Sequence, residues 1–123
     1  MAYVDGYVLP VPKAKLDEYW KMATLGREVW VECGALSYCE AVADDVPYGE
    51  LTSFPRGVMA KDDEVTIFSF ITYRDRAHRD EVNKAVMAHP KMQGFNMADA
   101  PFDGKRMIYG GFQGTIEHNV AGA

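Results

Sequence analysis

EVTIFSFITYRDRAHRDEVNKAVM, Glu64 to Met87, is the stretch on which the fold turns. β-Branched and aromatic residues dominate Val65 to Tyr73 with no Gly or Pro between them, which is the composition of a strand. Strand alternation puts Val65, Ile67 and Ile71 on one face and Phe68 and Phe70 on the other, so a sheet built around this segment needs cover on both sides. Helices of the same chain can supply one layer. Leaving the other face in water would forgo roughly 1.5 to 3 kcal/mol for each large side chain. A chain this short is expected to complete the second layer with another copy of itself, as a two-fold homodimer.

Asp75 ends the strand and offers its carboxylate to the free amides of the next turn, an N-cap for a helix reaching about Ala88. Asp75 and Arg79, and Asp80 and Lys84, stand four apart as acid-before-base pairs. Val82, Ala85, Val86 and His89 make the expected inner stripe, and Pro90 disfavours helical geometry at His89. Upstream, Tyr3 to Val11 reads as a first strand ended by Pro10 and Pro12. From Lys13, Leu16, Tyr19, Ala23, Gly26 and Trp30 recur at helical steps, with Gly34 as the stop and no side chain suited to an N-cap. Leu36 to Val42 is a second strand with Leu36, Tyr38, Glu40 and Val42 on one face. The connection from Asp44 to Asp63 is too long to be bare loop, and Phe54 to Ala60 is its expected ordered part, a strand extension or one helical turn. Downstream, a connection from Lys91 to Gly104 with a short helix before Ala98 leads to a last strand, Lys105 to Glu117. Gly110, Gly111 and Gly114 there suggest a bulge, a bend or close approach of another chain segment.

The order strand, helix, strand, strand, helix, strand predicts an α+β fold, the ferredoxin-like βαββαβ arrangement. Right-handed crossovers put both helices on one face of a four-stranded antiparallel sheet with the first and third strands central. Residues 1–117 form the single domain and 118–123 a frayed C-terminal tail.

Of the 123 residues, 48% are hydrophobic, enough for one core. Thirteen Lys and Arg against eighteen Asp and Glu leave a charge of −5, and the densest basic group, Arg74, Arg76 and Arg79, is interleaved with Asp75, Asp80 and Glu81, which argues against a nucleic-acid partner. Asp5, Gly6 and Pro10 interrupt the N-terminal apolar residues, so no secretory signal is read there, and nothing approaches the ~20 apolar residues of a membrane span. Cys33 and Cys39 are expected to be reduced thiols in a cytoplasmic protein.

YVDGYVLPVPKAKLDEY, WVECGALSYCEAVADDVP, the FSF of Phe68 to Phe70, RAHRDEVNKAVM and PFDGKRMIYGGF each resemble, in order, the YbaA-like family of bacterial domains of unknown function. The resemblance covers about residues 2–114, and PFDGKRMIYGGF is its most specific part. It implies membership of the dimeric α/β-barrel superfamily, which also holds cofactor-free monooxygenases, small isomerases and haem-handling proteins. One departure is local: His89, Pro90 and Lys91 stand where the family pattern has Asp-Pro-Arg. The resemblance implies a fold and no particular reaction.

For chemistry, Glu40 is the first candidate, a strand carboxylate that faces the sheet's inner surface beside Tyr38 and, buried there, would need either a raised pKa or a partner, for which Arg106 or Lys105 could serve. His78 and His89 lie eleven residues apart on one helix face, about 16 Å at about 1.5 Å per residue, too far to share a metal. Each is otherwise a helix-end residue. Asp44 and Asp45 with Asp62, Asp63 or Glu64 lack calcium-loop spacing and read as solvated turns. Phe102, Asp103, Lys105, Arg106 and Tyr109 form a group that reads first as a turn with an ion pair and second as a site, and Trp20, Trp30, Tyr7 and Tyr73 could line a pocket or simply fill the core. The candidate catalytic residues are therefore Glu40, His89 and Arg106, and the candidate ligand-binding residues Tyr7, Trp30, Asp103 and Tyr109. No metal or cofactor is expected, since no zinc spacing, phosphate loop or nucleophile elbow occurs. Two readings remain open. One is a homodimeric enzyme or binding protein for a small organic molecule; the other is a non-catalytic assembly module, with no cavity of about 300 Å³ or more.

Overall fold

The computed structural model describes residues 2–119, so residues 120–123 of the expected tail lie outside it. Strand β1 (Tyr3–Pro12) leads through a single 3₁₀ turn at Lys13–Lys15 into helix α1 (Leu16–Glu32), then β2 (Ser37–Val42). A short helix α2 (Phe54–Gly57) precedes β3 (Glu64–Tyr73), helix α3 (Arg76–Ala88) and β4 (Ile108–Gln113). The four strands form one sheet in the order β2-β3-β1-β4, every neighbouring pair antiparallel.

β1 and β3 pair along their whole length, from Tyr3 opposite Tyr73 to Pro12 opposite Glu64, and make the centre of the sheet. β1 covers the expected Tyr3–Val11, Pro10 included, and ends at Pro12. β4 pairs with β1 only from Tyr3 to Val8, so beyond Val8 that side of β1 is an edge, where a residue without an N–H leaves no ladder bond unmade.

The register separates the faces as the alternation predicts. Tyr3, Leu9 and Val11 of β1 and Ile67, Ile71 and Tyr73 of β3 pack beneath Tyr19, Ala23 and Val29 of α1 and Val82 and Val86 of α3. Ala85, expected in the inner stripe of α3, is exposed, and the half-buried Asn83 turns inward instead. Asp75 caps α3 as read, its Oδ1 accepting the His78 N–H at 2.8 Å, and the buried His78 accepts the Arg74 N–H at Nδ1.

The chain itself supplies part of the second layer. Ser53 caps α2 through the Arg56 N–H, Phe54 packs edge-on against Phe68, and Val58 just beyond is fully buried. Phe112, Ile108 and Phe68 on that face remain 65%, 51% and 44% exposed. β4 is shorter than the expected Lys105–Glu117, because Gly104–Arg106 form a 3₁₀ turn before it. Within β4 a Cβ on Gly111 would collide with the Tyr3 ring, the close approach that the glycines signalled.

Candidate functional site

The strand register assembles a row across the whole sheet on its helix-covered face: Glu40 of β2 stands opposite Ser69 of β3, Ser69 opposite Tyr7 of β1, and Tyr7 opposite Tyr109 of β4. Above it α1 contributes Tyr19, Ala23, Gly26 and Trp30, and the connection between α3 and β4 closes the side with Met92, Phe95, Met97, Phe102 and Met107. Between them lies a cavity of about 190 Å³. Its lining is almost wholly apolar and aromatic, and Glu40 is its one ionisable carboxyl or basic group. The volume falls short of the ~300 Å³ at which drug-sized pockets begin, and exceeds the ~150 Å³ that suffices for benzene.

Glu40 receives two hydrogen bonds, one on each oxygen. Tyr19 donates its hydroxyl to Oε2 at 2.7 Å and Tyr38 to Oε1 at 3.0 Å. Burial pushes the Glu40 carboxyl above the ordinary glutamate range, against the two tyrosine hydrogen bonds that favour its ionised form. Burial and the neighbouring carboxylate push the Tyr19 and Tyr38 hydroxyls far up, so both stay protonated donors. Tyr7 is pushed up to about 12, chiefly by burial. Tyr38 fits because residue 26 is glycine: a Cβ there would stand 2.9 Å from the Tyr38 hydroxyl oxygen. A raised carboxyl on an aromatic wall is suited to anchoring a ligand donor or exchanging a proton with it.

The other sequence candidates divide. Tyr7 and Trp30 line the cavity with Glu40. Arg106 does not approach Glu40: it forks onto both oxygens of Glu64 at 2.7 Å and also holds Asp103 and the Met59 carbonyl, each at 3.0 Å. Lys105 is exposed as well, so neither expected cation serves Glu40. The reason is the 3₁₀ turn, in which Asp103 accepts the Lys105 N–H and the Arg106 side chain reaches to the start of β3. Asp103 borders a second, more open surface groove of about 460 Å³ that meets the cavity at Met97 and Phe102. Tyr109 stacks on Tyr7 at 6.2 Å between ring centres yet is 71% exposed, outside the cavity wall. His89 sits at the end of α3, its Nε2 3.2 Å from Glu32 and its Nδ1 accepting the Lys91 N–H, a clamp between helix ends remote from the cavity lining. Among the described residues no group of three or more His, Cys, Asp and Glu could hold a metal, both cysteines are free, and no helix is long and apolar enough to cross a membrane.

A second buried polar group escaped the sequence reading. Asp5, 5% exposed, faces Arg79 at 3.7 Å, and the Tyr73 hydroxyl donates to Asn83 Oδ1 at 3.4 Å. Asn83 also accepts the Trp30 indole N–H at 3.3 Å, and Arg79 donates to the Tyr3 hydroxyl. Arg79 thus turns inward rather than pairing with Asp75, and its surface contact is Asp80. The signal was present: Tyr3, Asp5, Tyr7, Leu9 and Val11 share one parity, which puts Asp5 on the core face. Likewise Tyr19 lies in the inner stripe of α1 and Tyr38 two residues from Glu40 on one strand face, so both partners of Glu40 follow from periodicity once the helix is laid over the sheet.

Comparison with known proteins agrees with the local words of the sequence. Residues 2–104 match the family model described as protein of unknown function, DUF1428. The uncharacterized protein YbaA of Escherichia coli strain K12 is 44% identical over 117 residues, covering 95% of this chain and 99% of its own, and the YbaA of Shigella flexneri matches to the same extent. Among solved structures the de novo designed protein Foldit4 aligns over 95% of this chain and 100% of its own at 12% identity and a TM-score of 0.43. On the family match and the identity to YbaA, the chain belongs to the DUF1428 family, whose function is unknown.

Proposed function

We propose that this protein is a cytoplasmic, homodimeric small-molecule enzyme or ligand-binding protein built on the ferredoxin-like βαββαβ arrangement, its two sheets stacked as in dimeric α/β barrels. The observation that carries this reading is the Glu40 carboxyl, which faces a 190 Å³ apolar cavity and has only tyrosine hydroxyls as partners. Carboxyl groups are seldom kept in such surroundings for stability alone, since burial disfavours the charge and the same volume could be filled by an aliphatic side chain. In this reading Glu40 anchors the ligand's polar group or exchanges its proton, Tyr19 and Tyr38 hold the carboxyl in place, and Tyr7 and Trp30 shape the apolar end. His89 and Arg106 act as structural clamps. The strand order β2-β3-β1-β4 with a helical crossover in each half supports the fold assignment, and the uncovered apolar face of the sheet supports the dimer.

That same face, and a cavity volume of about 190 Å³ against the ~300 Å³ of drug-sized ligand sites, favour the second reading, an assembly module in which the cavity is a packing defect. Thermal-shift screening with small phenols, quinones and organic acids separates the two. A ligand at about a hundred times its Kd should add about 2.7 kcal/mol and raise Tm by several degrees in the wild type, and by much less in Glu40→Leu. A complete screen in which no compound moves Tm refutes the ligand-site reading and leaves the assembly module.

A further inference from the structure

Among the described residues three side-chain carboxylates are largely withdrawn from solvent, and their company differs. Asp5 has Arg79 at 3.7 Å, and Glu64 has the Arg106 fork at 2.7 Å. Glu40 has no Lys, Arg or His within ion-pair distance among the described residues, although it is the one that opens onto a cavity. Its two tyrosine donors occupy one site on each oxygen, and an ionised carboxylate has about four, so acceptor capacity remains toward the cavity. The aromatic rings of Tyr7, Trp30 and Phe102 line the same space. A desolvated anion without a counter-charge, walled by aromatic rings, is complementary to a cation with an apolar body.

Resting on the ligand-site reading above, we propose that the cavity selects a compact primary amine carrying one ring or a short branched alkyl group, its ammonium on Glu40 and its apolar body against the aromatic wall. A neutral hydroxyl of the same shape would add a third hydrogen bond to Glu40 but no counter-charge. A carboxylate would meet like charge in a site of low dielectric and be rejected. Size sets the upper limit: about 150 Å³ holds a benzene ring, so a cavity of about 190 Å³ admits one ring and a short arm. Met92, Met97 and Met107 in the wall adjust to the exact outline of the apolar part, so selectivity falls on charge more than on shape.

The test is calorimetric titration of the full chain near neutral pH with an isosteric trio: 2-phenylethylamine, 2-phenylethanol and phenylacetate. The amine is expected to bind at least about tenfold more tightly than the alcohol, and phenylacetate not at all. Glu40→Gln, which keeps the shape and removes the charge, should bring the amine within about threefold of the alcohol. Tyr38→Phe, which removes a hydrogen bond and keeps the charge, should preserve the amine's preference, and this second variant decides the matter should Glu40→Gln not fold. Equal or tighter binding of the alcohol, binding of phenylacetate, or an undiminished amine preference in Glu40→Gln overturns the proposal. If the alcohol binds and the amine does not, the charge selection falls while the ligand site stands. If none of the trio binds and the wider screen also moves no Tm, both fall.

Discussion

Gly26 and Glu40 show how single residues shape this site. Replacing a glycine inside an exposed helix by alanine ordinarily gains about 1 kcal/mol. At Gly26 the new Cβ would stand 2.9 Å from the Tyr38 hydroxyl and push it off Glu40, losing a hydrogen bond to a charged group worth about 1.5 to 3 kcal/mol. The loss outweighs the gain, so Gly26→Ala is expected to leave stability unchanged or lower in urea denaturation; a rise of about 1 kcal/mol would show that Tyr38 moves freely. Glu40→Gln makes the opposite case. Burial raises the folded carboxyl above its unfolded pKa, so the folded state binds more protons between the two values and the group's contribution to stability falls as pH rises through that window. Removing the titration should therefore widen the stability difference in the variant's favour from acid to neutral pH. Denaturation curves across that range check it, and a flat difference contradicts a buried Glu40.

At the scale of elements, the central ladder was legible because both its strands carry unbroken alternation, and α1 and α3 because their inner residues recur at helical steps and Asp75 caps the latter. What stayed hidden depends on distant chain segments. The destination of Arg106 follows from a 3₁₀ turn with no periodic signature. In the site, Glu40 was legible by parity, whereas its lack of a cation was not, since Arg106 is near enough in sequence to β4 to suggest the wrong partner. The Arg106 fork ties the turn before β4 to the first residue of β3, with side chains only 13% and 4% exposed. Arg106→Met is expected to cost about 1 to 3 kcal/mol in urea denaturation, and Arg106→Lys, which keeps the charge but loses the fork, part of that. The pair also sets a pH signature. Hydrogen bonding to Arg106 holds Glu64 below its ordinary range, so its contribution is present above the unfolded pKa and is lost as pH falls through the folded one. Arg106→Met should accordingly lose less stability than wild type on acidification; an equal loss would mean that the fork contributes nothing.

For the molecule as a whole, the open sheet face determines what the protein is in solution. The helices cover most of one side, and α2, with Phe54 against Phe68 and the buried Val58 just beyond, covers part of the other, so less of that face needs a partner than the two-sided alternation of β3 alone implies. What remains is still apolar, with Phe68, Phe112 and Ile108 exposed and the Phe112 ring lying over the Gly6 and Gly110 pair. Phe112 is 65% exposed in the protomer, so a charge there should cost the isolated fold little while placing an unpaired cation within a sheet-to-sheet contact. Sedimentation at micromolar concentration is expected to give a dimer for the wild type and a monomer for Phe112→Lys, with a Tm that rises with concentration only in the wild type. Exposed Tyr109 stacks on Tyr7 next to the cavity, so an acid substituted there, Tyr109→Glu, serves as the control on the helix side of the sheet and should leave the dimer intact. A wild-type monomer with a concentration-independent Tm would mean that α2 and its flanks supply all the cover this sheet requires, and the assembly half of the proposed function would fall with it.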